Sequence, residues 1–440
     1  MAERTTESVS AASSTSDAVD RRHLRKVITS SFLGSTVEFY DFLLYTSAAA
    51  VVFPTVFFSN LDHATATIAS FATLAIGFLA RPVGGLVFGS LGDRYGRKTV
   101  LVVTMLLMGV TSIGIGVLPT SAAVGGVAPL LLVVLRLVQG LAVGGEWGGA
   151  TALSIEHAPA ERRGMLVGLV ATGAPTGSLL ATGATGLAAA LTGDQFLNWG
   201  WRIPFLASAV LVAIGLYMRA TVRDTPNFLA AARDRQLLHA PVRYLFRHHW
   251  RPLSRVTLAI LSAFTVQGVI VAYALNYAVG HGVPRGRALL LLTLSSAFSV
   301  AVQIIAGFAN DRFGRRSLML FGTAATTLLA FPMLWSLQTG SSWGVLLCFL
   351  LGHGFCQAIL VASIGTFTGE MFPTRVRTTA SGVGYQLAGS VGGFVPLIAA
   401  SLFKATGSLM PIAGLLALVG VISTVAVLGS KETLGRLLPD

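Results

Sequence analysis

Apolar runs of about 20 residues follow one another along nearly the whole chain from residue 28 to residue 430, with short polar breaks between them. That is the length a helix needs to cross the hydrocarbon core of a bilayer. A helix is also one of only two backbone arrangements that satisfy their own hydrogen bonds there. Of 440 residues, 53% are hydrophobic and 11% charged, and the mean hydropathy is +0.73. Soluble domains carry about 25% charged residues, so a water-soluble globule is excluded. The chain reads as an all-α polytopic membrane protein. Twelve spans are predicted, over about 28–52, 65–90, 98–118, 124–152, 164–190, 200–220, 254–279, 285–309, 317–337, 342–367, 378–402 and 408–430.

The net charge of +13 would suit a nucleic-acid partner if the basic residues formed one patch. They fall instead in alternate loops. Arg21, Arg22, Arg25 and Lys26 precede the first span, and Arg94, Arg97 and Lys98 follow the second. Arg162 and Arg163, Arg312, Arg315 and Arg316, then Arg375 and Arg377 continue the series. The opposite loops hold little beyond Arg202, Arg285, Arg287 and Lys404. By the positive-inside rule both termini are expected in the cytoplasm, and no nucleic-acid partner is expected. The predicted organisation is a disordered tail (1–27), a six-helix bundle (28–220), a basic linker (221–253), a second bundle (254–430) and a short C-terminus (431–440). A secretory signal is an unsuitable reading of the first apolar run, because Glu38 and Asp41 lie within it. The run His248-His249-Trp250 in the linker is expected at the anionic membrane surface.

Two internal repeats support the division into halves. Gly89-Ser-Leu-Gly-Asp93-Arg94-Tyr-Gly96-Arg97-Lys98 returns as Gly307-Phe-Ala-Asn-Asp311-Arg312-Phe-Gly314-Arg315-Arg316, offset by 218. The spacing E-x2-P-x3-R occurs from Glu156 to Arg163 and from Glu370 to Arg377, offset by 214. Each repeat joins equivalent spans on the same side, as a duplicated bundle requires. Two such halves rocking about a central site is a common transporter architecture.

The G-x3-D-R-x-G-R-[KR] loop resembles the cytoplasmic signature of the major facilitator superfamily, and Arg136-Leu-Val-Gln139-Gly140 resembles its R-x-x-Q-G element. Glu38-Phe-Tyr-Asp41-Phe, Arg81-Pro-Val-Gly-Gly, Gly144-Gly-Glu146-Trp147-Gly-Gly-Ala and Trp199-Gly-Trp-Arg202-Ile-Pro204-Phe are similar to the metabolite:proton symporter family. Within it, Phe39-Tyr-Asp41-Phe-Leu-Leu-Tyr45, Ala274-Leu-Asn276-Tyr277 and Gly382-Val-Gly-Tyr385-Gln386 look most like the shikimate permease branch. The resemblance implies a monomeric secondary transporter of the cell (inner) membrane that imports a small organic acid with protons. It also implies a cytoplasmic gate, in which the loop acid meets a helix N-terminus and a nearby arginine. Gate residues are expected at Gly89, Asp93, Arg94, Gly96, Arg97, Asp311, Arg312, Gly314, Arg315, Glu156, Arg163, Glu370 and Arg377. An exporter is the alternative, since Gly173-Ala-Pro175-Thr-Gly177 loosely resembles the span-five signature of proton antiporters. A non-transporting membrane sensor is a third reading. No nucleotide loop or zinc motif occurs, so no cofactor, metal or enzyme activity is expected.

Gly34, Glu38, Asp41 and Tyr45 lie on one stripe of the first helix. Carboxylates within a membrane helix are costly, by about 2.5–3.5 kcal/mol each on insertion scales, and normally face a cavity or a partner. Asp41 is the expected proton site, Glu38 its coupled neighbour, and Arg136 the partner released when the acid is protonated. A static ion pair that only holds helices together is the plainer account. Arg81 and Gln139 are expected at the substrate site with Tyr45. Polar groups of the second half join them as candidates: Gln267, Tyr273, Asn276, Tyr277, Gln357, Tyr385 and Gln386. His353, beside Cys356 and Gln357, reads as a core histidine, because one His and one Cys make a poor metal site.

Overall fold

The computed structural model describes residues 28–95, 97–144, 151, 154–155, 158–221 and 241–435. Twelve long helices follow the chain: α1 (28–51), α2 (His63–Tyr95), α3 (Arg97–Val117), α4 (Val127–Gly144), α5 (Arg163–Ala171, resumed as Gly173–Thr192) and α6 (Arg202–Thr221). Then come α7 (Trp250–Gly280), α8 (Arg285–Phe313), α9 (Arg315–Gln338), α10 (Ser342–Gly369), α11 (Thr374–Gly393, resumed as Val395–Thr406) and α12 (Met410–Leu428). The expected all-α, twelve-helix architecture is the observed one, and no strand occurs among the described residues. The tail 1–27, linker residues 222–240 and residues 436–440 lie outside them. The far end of the linker forms a short helix, Pro241–His248, that leads into α7.

The repeated signature is less of a loop than its composition suggests. Helices α2 and α8 run on through Tyr95 and Phe313, so Asp93 and Asp311 sit on last helical turns. Only Gly314 separates α8 from α9, and its φ of +95° explains why a glycine stands there. Helices α7 and α10 each widen into a π-helical stretch, Gln267–Ala274 and Leu350–Gln357, and the two stretches touch.

Small residues let helices approach closely where lipid provides no hydrophobic drive between them. In the first half α2 packs on α4 through Gly77, Gly84, Gly140 and Gly144, each facing main-chain or side-chain atoms of the other helix with no room for a methyl group. Helices α1–α6, called the first half, meet α7–α12, called the second, along two seams. In one, α5 lies on α8, with Ser178 and Ser296 hydroxyls 2.9 Å apart and Thr293 donating to Thr182 at 2.9 Å. In the other, Ser390 and Gln386 of α11 donate to the carbonyls of Phe78 and Gly144 at 3.0 and 3.1 Å. Replacing Gly140 by Leu should force α4 off α2 and cost about 1–3 kcal/mol or more. A lowered unfolding midpoint in detergent is the expected result.

Candidate functional site

Asp41 points into the first bundle and is 1% exposed. Neither carboxylate oxygen accepts a hydrogen bond, and the hydroxyls of Ser112 on α3 and Ser208 on α6 face it outside hydrogen-bonding geometry. Ser112 accepts from Gln139 Nε2 at 2.9 Å, and Gln139 Oε1 accepts from Arg136 Nη1 at 2.7 Å. Ser112, which faces the acid, is therefore tied through Gln139 to the guanidinium. Among the described residues Arg136 makes no ion pair. It lies over the Tyr45 ring at 3.9 Å and beside Phe42 at 5.3 Å. Aromatic faces attract a guanidinium and need no carboxylate to do so. The Tyr45 hydroxyl in turn pairs with Thr73 at 2.6 Å. Gly77 makes room for this arrangement: a Cβ there would come within 2.9 Å of Arg136 Cγ and Cδ.

Glu38 is on the other flank of α1. It interacts electrostatically with Arg81 of α2 and Tyr385 of α11, at the seam between the halves. The two acids thus answer to different partners. The Arg81 guanidinium is held between the rings of Phe42 and Phe78, at 4.4 and 4.3 Å. Next to it lies a central cavity of about 10 Å³, lined by Phe42, Thr46, Phe78, Phe264, Gln267 and Pro396 among others. That volume is at the limit for a single water molecule.

Described residues of the two halves are also in contact at both ends. At one end, Asp311 accepts from the main-chain N–H groups of Gly164 and Met165, both at 2.7 Å, and pairs with Arg315 at 3.3 Å. Gly164 and Met165 begin α5, so a carboxylate of the second half caps a helix of the first. Beside it, buried Glu370 accepts from Arg163 Nη1 at 3.3 Å and from Arg315 Nε at 3.2 Å. Arg377 donates to the Gly369 carbonyl at 2.9 Å. At the opposite end Asn276 donates to the Ala50 carbonyl at 2.6 Å, and Lys404 donates to Thr65 at 2.7 Å. Hydrogen bonds from Thr65 hold the neighbouring Asp62 carboxyl below the usual carboxylate range.

The sequence candidates divide among these places. Arg81, Gln267 and Tyr385 come together at the centre, whereas Tyr45 and Gln139 belong to the Asp41 chain. Tyr273, Asn276 and Tyr277 lie toward the closure opposite Asp311, where Tyr277 stacks on His281 at 3.8 Å and Phe403 meets its edge at 5.3 Å. Gln357 bonds to His353 at 2.8 Å, and His353 reaches Ser296 at 3.2 Å. Gln386 is committed to the seam, and Arg312 is exposed. Of the first-half gate candidates, Gly96 and Glu156 lie outside the described residues, as does Glu146. The side chains at Gly89, Asp93, Arg94 and Arg97 are likewise not among those described. Sequence reasoning missed Ser112 and Ser208, small hydroxyls that look ordinary in any apolar helix. It also missed Glu432 and Thr433. Glu432 caps the start of α9 through the N–H groups of Arg315 and Arg316 at 3.0 and 3.1 Å, and Thr433 donates to Glu370 at 2.5 Å.

Residues 42–397 match the model of the Major Facilitator Superfamily. The chain belongs to that superfamily. It is therefore a multi-pass membrane protein of a transporter family, not an enzyme. It is 38% identical over 416 residues to the inner membrane metabolite transport protein YhjE of Escherichia coli, covering 93% of this chain and 94% of that protein. It is 41% identical over 388 residues to the shikimate transporter of the same bacterium, covering 86% and 87%. The proton:xylose symporter XylE shares the fold with a TM-score of 0.74 at 19% identity, covering 95% of this chain and 98% of that one. Within this fold, Arg163 and Glu370 belong to opposite halves and are both buried. Thermal unfolding of Arg163→Ala, Glu370→Ala and the double variant should reveal a coupling of about 1–3 kcal/mol. Additive losses would mean that the contact does not help to join the halves.

Proposed function

We propose that this chain is a proton-coupled symporter that brings a small organic acid, a hydroxylated carboxylate of the shikimate kind, across the cell membrane by alternating access. The observation that carries the reading is the Asp41 carboxyl, buried with no hydrogen bond to either oxygen and faced by Ser112, which Gln139 ties to Arg136. An ionised carboxylate left unpaired in such surroundings costs several kcal/mol. Loading or releasing a proton at Asp41 must then be accompanied by movement of a donor toward it, and Arg136 is the cation at the end of that chain. A shift of Arg136 would loosen its hold on Gln139 and on the Tyr45 and Phe42 rings. Phe42 also contacts Arg81, so the disturbance reaches the centre.

In this reading Arg81 receives the carboxylate of the substrate, because a guanidinium fork suits that group. Gln267 and Tyr385 supply hydrogen bonds to its hydroxyls, and Glu38 tunes the pocket from beside Arg81. Asp311, Arg315, Arg163, Glu370 and Arg377 act as the cytoplasmic gate. Their bonds would break for the inward-facing state, while those of Asn276 and Lys404 would break for the outward-facing one. Residues 28–220 and 254–430 are the two moving bodies, joined by the basic linker, with both termini cytoplasmic and the protein acting as a monomer. The 41% identity to a shikimate transporter supports the substrate class.

Purified protein in proteoliposomes tests this. With the outside made acid, radiolabelled shikimate or a related hydroxy acid should accumulate. Asp41→Asn should abolish accumulation, and Arg136→Lys should lower it at least about tenfold, since Lys lacks the planar fork. Accumulation that ignores the gradient, or an unchanged Asp41→Asn variant, would sink the coupling scheme. Extrusion without uptake would select the exporter instead.

A further inference from the structure

The stretch leading into α7 carries charge that the transport reading does not use. Arg243, Arg247, Arg251 and Arg255 follow at intervals of four, and no acidic residue occurs between Asp234 and Asp311. Arg247, Arg251 and Arg255 are exposed, and among the described residues none of them makes an ion pair. Uncompensated charge of this density repels itself unless an anion sits against it.

Large aromatic side chains accompany the arginines. Phe246 precedes Arg247 and Trp250 precedes Arg251, with exposures of 49% and 55%. The Arg251 guanidinium lies 5.4 Å from the centre of the Trp250 ring. Among the described residues Leu245 is fully buried, where the helix Pro241–His248 packs against α11. The helix thus rests on the bundle through Leu245 and leaves guanidinium and aromatic groups outward. Phe246 and Arg247 lie just ahead of a candidate membrane span, and Trp250, Arg251 and Arg255 lie in its first turns, the end at which polar and apolar parts of a bilayer meet. Aromatic rings favour that depth, and arginines on such a segment favour anionic headgroups.

We propose that Arg247, Arg251 and Arg255 bind the phosphates of anionic phospholipids, with Phe246 and Trp250 seated at headgroup level beside them. A soluble acidic partner would satisfy the arginines but would leave two aromatic side chains facing water beside a span. The bilayer satisfies both. Since Leu245 couples the segment to α11, which also carries Tyr385 and Gln386, lipid bound here steadies the second half near its seam.

Vesicles test the assignment without knowledge of the transported substrate. The full-length protein is reconstituted into phosphatidylcholine containing equal mole fractions of either brominated phosphatidylglycerol or brominated phosphatidylcholine. The contribution of Trp250, one of six tryptophans, is obtained by difference from Trp250→Phe. Half-quenching by the anionic lipid should need at least about a threefold lower mole fraction than by the neutral lipid, because each basic group near the surface adds attraction. The preference should fall in 0.5 M salt and vanish in the triple Arg→Gln variant, while a triple Arg→Lys variant keeps most of it. Equal quenching of the natural protein by both lipids overturns the proposal, and that comparison needs no charge variant to fold. So does a preference that survives the triple Arg→Gln change. Displacement of the preference by millimolar glycerol 1-phosphate would also overturn it, since the site would then be one for soluble phosphate. None of these outcomes depends on proton coupling.

Discussion

Asp41 is buried among α1, α3 and α6 with both carboxylate oxygens lacking a donor. Everything around it is arranged as a consequence. At 1% exposure its charge state depends on groups that the helices carry. Two serine hydroxyls face it, and one of them is tied through Gln139 to Arg136. Arg136 is itself withdrawn from water, and its remaining surroundings are aromatic rings. A glycine on α2 leaves space for its stem. The tight α2–α4 packing and the ionisable chain are therefore one construction: the small residues that bring the helices together also set where the guanidinium lies.

The closures at the two ends differ in chemistry. The end bearing Asp311 is held by buried ionic groups and a helix cap, in which charge-assisted bonds are strong but depend on every partner being present. Glu370 alone receives two arginines and the Thr433 hydroxyl. The opposite end is held by neutral or exposed contacts: an asparagine on a carbonyl, a lysine on a threonine and stacked rings. The contacts at one end are thus electrostatic and at the other mainly packing and neutral hydrogen bonds, so salt acts on the two unequally.

The twelve helices were legible in the sequence because a membrane imposes one length and one polarity on each crossing. Two signatures repeat, and the second copy of each places its acid, Asp311 or Glu370, against α5. What could not be read was which face each polar residue takes. Glu38 and Asp41 are three residues apart and seem to share a stripe, yet a rotation of about 60° between them separates the seam from the bundle interior. Tyr45 and Gln139 go to the interior for the same kind of reason. Arg136 has aromatic rings and an amide as its neighbours, groups that a sequence does not single out as partners of a cation. Ser112 and Ser208 carried no signal, since a serine in an apolar helix usually bonds its own preceding turn. The π-helical stretches of α7 and α10 turn Gln267 and His353 in directions that a regular 3.6-residue period does not give.

One detail of the Asp311 contact bears on how such a chain drifts over evolutionary time. Its two donors are main-chain amides, those of Gly164 and Met165. The latch thus reads backbone, not side chains, on the α5 side. Exchange of Met165 for another residue leaves the amide in place, whereas proline at either position deletes a donor outright. At Gly164 there is a second restriction, since a Cβ would collide with Asp311 itself. The keyhole is cut from the invariant part of the polypeptide, which leaves the key, one aspartate on a helix end, as the part that mutation can wear away.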